Sequence, residues 1–155
     1  MKKIIFLFAF NIICYSAFSQ TASIQTQTGV LPGANTSVNV SLSGFAPDDI
    51  SGFQFTIRYD TTHLKYISTT DWYTGVSGVT VMSSVYYGSI HTLTYAWAES
   101  FGLVIDGILC KLNFLNKTSA TGCQSIYWSD SPTTRMFIDG DYNEYTVTYV
   151  NGAIC

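Results

Sequence analysis

Few side chains in this sequence could do chemistry, and their spacing limits what that chemistry would be. The two histidines, His63 and His91, stand in no metal-ligand spacing. His91 shares an apolar strand face with Leu93, Tyr95 and Trp97, so a core histidine with satisfied nitrogens is expected. Asp71 and Glu99 are the carboxylates that a hydrolytic acid/base pair would need, but nothing in the sequence sets them side by side. Asp139-Gly140-Asp141-Tyr142-Asn143-Glu144 begins like a calcium loop, with oxygen-bearing side chains at alternate positions. It then departs, with Glu144 in the place of the sharp-turn Gly and Val150 in that of the bidentate Glu, so a polar hairpin turn is expected. There is no Gly-x-Ser-x-Gly elbow and no Gly-rich phosphate loop. The sequence reads as a non-enzyme, with no cofactor and no metal site of its own.

Flat aromatic rings offer a different chemistry. Trp72-Tyr73, Tyr86-Tyr87 and Trp128 could stack on sugars, which need an aromatic face with a polar rim. Core packing is the competing use of these rings, and by alternation Tyr95 and Trp97 belong to the core.

Four cysteines add a redox question. Residues 1–19 read as a signal peptide: Lys2 and Lys3 form the positive region, Ile4 to Phe10 and Ile12-Ile13 the apolar one, and Ala17-Phe18-Ser19 the cleavage site. Cys14 would mark a lipid-anchored terminus, but Ile13 before it is bulkier than that processing prefers. Export permits a disulfide among Cys110, Cys123 and Cys155, and an odd count leaves one thiol over. Cys110 falls on a buried strand face with Ile108, Leu112 and Phe114. Cys123 and Cys155 fall at strand edges, so Cys123–Cys155 is the expected bridge. In the chain-entropy view, closing that loop contributes about 3–4 kcal/mol.

Residues 20–155 then form one domain. They carry five basic residues against ten acidic, a net charge of −5. No block of Lys or Arg exists, which argues against nucleic acid and, once the leader is removed, against a membrane surface.

The elements that must position these groups are strands. In Gly52 to Asp60, Phe53, Phe55, Ile57 and Tyr59 alternate with Gln54, Thr56 and Arg58, the period of a strand with one face in a core. Asp60 turns the chain and Leu64 plugs back into the core. Further alternating segments run at Ser23–Thr28, Ser37–Leu42, Leu64–Ser68, Val79–Tyr87, Ile90–Ala98, Gly107–Leu115, Ser125–Trp128, Tyr145–Tyr149 and Ala153–Cys155. Turn signals every 8–12 residues and no helical period predict an all-β sandwich or jelly roll of about nine strands. Gln54, Thr56 and Arg58 are expected to project into solvent, with Thr92, Thr94, Ala96 and Ala98 beside them.

The order of these segments resembles the cohesin domain, the receptor half of the cohesin–dockerin pair of cellulosome-type assemblies. The resemblance is carried by Gly52-Phe53-Gln54-Phe55-Thr56-Ile57-Arg58-Tyr59-Asp60 with Leu64, and by Gly88-Ser89-Ile90 leading to Tyr95-Ala96-Trp97-Ala98-Glu99. Asp106-Gly107-Ile108-Leu109-Cys110-Lys111-Leu112-Asn113-Phe114 and Val150-Asn151-Gly152-Ala153-Ile154 complete it, in the right order over residues 20–155. It implies a nine-stranded jelly roll that holds a calcium-loaded dockerin on one sheet face, any calcium belonging to the partner. Ala98, Glu99 and Gly102 fall where the best-known type contacts the dockerin, and Tyr87 matches a recurrent contact tyrosine. Gln54 stands where that type carries an Asp, and Gly52 where it carries Asn. Tyr87, Ala98, Glu99, Gly102, Gln54 and Thr56 are therefore the expected partner-binding residues. The expected role is a secreted or cell-surface docking module linked to polysaccharide breakdown. The alternatives are a carbohydrate-binding module of the same fold, with polysaccharide as partner, and a structural sandwich from an adhesin-like surface protein.

Overall fold

The computed structural model describes residues 19–117 and 122–155. The expected leader lies outside the described residues apart from Ser19, as does Thr121 of the turn before Cys123. The described residues form strands and no helix. β1 (Gln20–Ile24), β3 (Asn35–Ser43), β5 (Leu64–Thr70), β8 (Gly107–Asn116) and β11 (Val147–Val150) make one sheet in the order β11-β1-β3-β8-β5. The other sheet runs β2 (Thr26–Gln27), β12 (Gly152–Ile154), β9 (Gln124–Ser129), β4 (Ile50–Asp60), β7 (Ile90–Leu103) and β6 (Thr80–Tyr87), with β10 (Met136–Ile138) also on β4.

β4 is the centre of that second sheet because its alternation works as expected on the inner side. Phe53, Phe55, Ile57 and Tyr59 are all buried. Phe55 meets Tyr95 at 4.9 Å and Trp128 at 5.2 Å between ring centroids, and Phe53 stacks on Trp97 at 5.3 Å. Each such ring contributes about 1.5–3 kcal/mol by leaving water, which makes this aromatic layer the main internal support of the fold. Asp60 ends the strand as its chemistry predicts, accepting a 2.8 Å bond from the Thr62 N–H. That bond also holds its carboxyl below the usual range. Leu64 is fully buried just beyond.

Among the described residues twelve strands replace the nine expected, for identifiable reasons. The first and last segments each switch sheets partway, splitting into β1 and β2 at Gln25 and into β11 and β12 at Asn151. The two crossings touch, and a Cβ on Gly152 would collide with the Ile24 and Gln25 carbonyls, so only glycine fits there. β10 has no counterpart in the sequence reading, being three residues long. In β8 the ladder to β3 slips where Val40 faces Cys110 but Ser41 faces Ile108. This bulge adds Leu109 to the buried set and turns Ile108 out to solvent, correcting the expected core face. Cys110 stays buried and free, and burial pushes its thiol pKa up. Cys123 and Cys155, brought together by the pairing of Ile154 with Gln124, form a disulfide.

Candidate functional site

The outer face of the seven-stranded sheet carries most of the residues singled out above. Gly52 pairs with Ala98, Gln54 with Ala96, Thr56 with Thr94 and Arg58 with Thr92. The expectation that this face meets water along its whole length is corrected by the structure. Thr56 is 0%, Thr92 1% and Thr94 3% exposed.

The cause is a strap. β9 runs beside β4 as far as the pair Thr56–Ser129, and β10 resumes beside it at Gln54–Met136. The six residues 130–135 between them have no ladder position left and arch over the outer face. Three successive outward side chains of β4 then donate to strap carbonyls: Gln54 Nε2 to Thr134 (3.1 Å), Thr56 Oγ1 to Thr133 (3.3 Å) and Arg58 Nη2 to Ser131 (3.1 Å). Thr94 Oγ1 lies 3.1 Å from Thr56 Oγ1, so the buried hydroxyls satisfy one another. Arg135 closes the base of the strap with a two-pronged bond to Asp130, 2.7 Å on each prong, and lies over the Tyr149 ring at 4.1 Å. On the far side Arg58 stacks on Tyr86, 3.3 Å from the ring centroid.

Below the strap the face opens into a groove of about 390 Å³. Gly52, Ala96 and Ala98 make a floor of small side chains, Met136 and Ile138 one wall, and Gly78 and Thr80 the other. Gly52 is glycine for a packing reason, since a Cβ there would lie 3.1 Å from the Ile138 side chain. Gln54 is occupied in holding Thr134. These two positions, the departures noted in the sequence, thus serve the strap and β10.

The groove's open end is ringed by a bulge and a hairpin. Ala98 faces Gly52 but Leu103 faces Ile50, so Glu99, Ser100, Phe101 and Gly102 bulge outward opposite Ser51 alone. Phe101 is 85% exposed. At Gly102 a Cβ would overlap the Asp49 carboxylate, so this residue can offer a partner only its backbone. Opposite stands the Asp139 hairpin, with exposed Tyr142 in the left-handed region at φ 64°. Both Asp139 oxygens are spent inside it, on the Asp141 and Asn143 N–H groups and on Asn143 Nδ2. Those bonds, the Asn143 amide first, hold its carboxyl below the usual range. Among the described residues no group of three or more His, Cys, Asp or Glu could hold a metal. Asp48, Asp49, Asp139 and Asp141 make this end acidic. Burial, with the Asp48, Asp139 and Asp49 carboxylates adding to it, pushes the Tyr145 phenol up to about 12.

The expected site residues therefore share a face without forming one cluster. Gln54 and Ala98 line the groove, Glu99 lines an adjoining recess that shares Ala98 and Ile138, Gly102 lies on the bulge against Asp49, and Thr56 is sealed under the strap. Tyr87 is 81% exposed at the far end of β6, opposite Ile90. Ile90 lies eight residues along β7 from Ala98, about 26 Å at strand rise. Asp71 is paired with Lys111 at 2.8 Å rather than with Glu99. His91 is half-buried, its ring 6.1 Å from that of Tyr59. Trp128 is buried and donates its indole N–H to the Val150 carbonyl, while Trp72 packs on Phe53 and Tyr95. Trp128 thus has no face free for a sugar, and Trp72 is half-buried. Phe101, Met136, Ile138 and Tyr142 were missed; the signal was the polar run Asp130-Ser131-Pro132-Thr133-Thr134, too short for a strand and longer than a turn.

A family model described as Cohesin domain matches residues 20–155. Among solved structures, the chain is similar to the sixth cohesin of scaffoldin B from Acetivibrio cellulolyticus, solved in complex with a mutant Cel5 dockerin. Identity is 30% and the TM-score 0.73, over 88% of this chain and 97% of that one. It is also similar to the cohesin of a Coh-OlpA-Doc918 complex from Clostridium thermocellum, at 21% identity and TM-score 0.71, over 88% of this chain and 97% of that one. A type III cohesin module from the ScaE cell-surface anchoring scaffoldin of Ruminococcus flavefaciens shares the fold at 17% identity and TM-score 0.64, over 90% and 88%. No curated protein matches the chain.

Proposed function

The chain belongs to the cohesin family, and on that premise we propose that it is an exported, non-catalytic module that docks a dockerin-like protein on the outer face of its seven-stranded sheet. The observation that carries this reading is the open groove floored by Gly52, Ala96 and Ala98. Small residues let a partner backbone approach closely, and the projecting Glu99, Phe101 and Tyr142 supply an acceptor and two apolar contacts at its rim. Gln54, Ala98, Glu99 and the Gly102 backbone contact the partner at the groove, and Tyr87 contacts it at the far end. Thr56 acts indirectly, by seating the strap. The dockerin complexes of similar cohesins support this choice of partner. The cellulosomal scaffoldin among the solved relatives supports a place in extracellular polysaccharide breakdown. A sugar-binding role would rest on Trp72-Tyr73, Tyr86-Tyr87 and Trp128, of which Trp128 is buried, Trp72 and Tyr73 are half-buried against the core, and Tyr86 and Tyr87 are exposed.

Calorimetric titration with calcium-loaded dockerins, starting with the Cel5 dockerin, tests the reading. Ala98→Arg fills the groove floor from an exposed position and should abolish binding that the parent shows, with the fold intact by circular dichroism. Equal binding by parent and variant would place the partner elsewhere. A parent that binds no dockerin while being retained on insoluble glycans would favour the carbohydrate alternative.

A further inference from the structure

β6 ends the seven-stranded sheet and, among the described residues, pairs with β7 alone. All eight of its residues are exposed, including Met82 at 56% and Val85 at 62%. Sheet edges are normally kept from pairing by Lys, Pro, shortness or an early bulge. Thr80-Val81-Met82-Ser83-Ser84-Val85 has no charge and no proline, and its ladder to β7 slips only after Val85. We propose that β6 pairs antiparallel with β6 of a second copy, about a twofold axis at Ser83, joining two seven-stranded sheets into one.

The backbone supports this register. Thr92 Oγ1 donates to the Ser84 carbonyl at 3.3 Å, which puts that carbonyl on the β7 side. In an antiparallel ladder, successive residues alternate between facing one neighbour and the other, so the N–H and C=O groups of Val81, Ser83 and Val85 point to the open edge. The side chains fit as well. Val81, Ser83 and Val85 lie opposite Tyr95, Leu93 and His91 and share the sheet's inner side. An axis at Ser83 sets serine against serine and each valine against the other copy's valine, the self-complementarity that a twofold contact requires. Met82 and Ser84 meet on the outer side.

A second copy is favoured over an unrelated strand because Val-x-Ser-x-Val reads the same in both directions and no charge on β6 calls for a counter-charge. Pairing of two such short edges buries no more than about 1,000 Å², the lower bound of a specific interface, so the contact is a weak one. The groove floor of Gly52, Ala96 and Ala98 stays open, while Thr80 of its wall and Tyr87 lie on the paired strand, so docking is compared at concentrations where the chain is a monomer.

Sedimentation velocity of residues 20–155 tests the proposal. The mass of the parent should rise toward twice the monomer value between about 10 μM and 1 mM, the range for an interface of this small size. Ser83→Lys sets two like charges together at the axis and should leave a folded monomer throughout. Ser83→Glu should do the same, and mixing the two variants should restore the dimer. Both single variants should keep the parent's dockerin affinity, because Ser83 faces away from the groove, so a failed dimer and a failed docking site are read separately. A parent that stays monomeric at 1 mM, a dimer that survives Ser83→Lys, or a mixture that does not re-form it would overturn the proposal.

Discussion

Thr56 lies sealed between β7 and the strap, its hydroxyl shared between Thr94 Oγ1 and the Thr133 carbonyl. Replacing it with Val keeps the shape but leaves buried polar groups without a partner, a loss of about 1–3 kcal/mol. Thr56→Asp is worse, because a buried carboxylate with no cation beside it must either stay charged in an apolar site or take up a proton. Urea unfolding should place Thr56→Asp below Thr56→Val, and both well below the parent. Parent-like stability for Thr56→Asp would mean the strap does not cover this position. The neighbouring Ile57, Phe55 and Phe53 were legible from alternation, since each has an apolar side chain on a period of two. Thr56 was not, because a polar side chain on that period looks the same whether water or polar backbone covers it. Ile108 shows a similar limit: a bulge in β8 reversed its side, and nothing in the apolar run Ile108-Leu109 marks a slip of one residue.

At the scale of elements, the strap is held by polar contacts and so responds to pH. The Arg135 guanidinium donates two hydrogen bonds to Asp130 and the Arg135 N–H a third, and these hold the Asp130 carboxyl below its ordinary range in the folded chain. A lowered folded pKa means that the contribution is complete above the unfolded value, near pH 4, and is lost as pH falls through the folded value. Asp130 is exposed, so screening keeps the effect on global stability small. The local effect is larger, because the same carboxylate clasps the two ends of the strap. Amide exchange at Arg135, whose N–H donates to Asp130 Oδ1 at 3.2 Å, should therefore quicken below about pH 4 relative to β4. Asp130→Asn should reproduce that at neutral pH. Unchanged exchange in the variant would show that the Gln54, Thr56 and Arg58 contacts suffice to hold the strap. The strap and β10 escaped the sequence reading together. Met136-Phe137-Ile138 is too short to show a period, and a segment that packs by donating no apolar surface leaves no hydrophobic pattern to find.

For the whole molecule, the arrangement of strands sets how large a docking footprint can be. Tyr87 and Glu99 are both exposed, yet the length of β7 from Ile90 to Ala98 separates them and the strap stands above the sheet between. A partner that touches both must span about 26 Å at strand rise, which as a helix takes about 17 residues. Groups that far apart, with no shared side chain, should contribute independently. Tyr87→Ala and Glu99→Ala should each weaken dockerin binding by about 1–3 kcal/mol if they are anchors of one long contact. The double variant should then lose the sum of the two, to within about 0.5 kcal/mol. Neither change should alter unfolding, since neither side chain is part of the core. If Glu99→Ala alone weakens binding, the partner ends at the strap and the groove is the whole site. Titration of the four proteins at concentrations below those at which β6 could pair keeps this comparison free of any dimer.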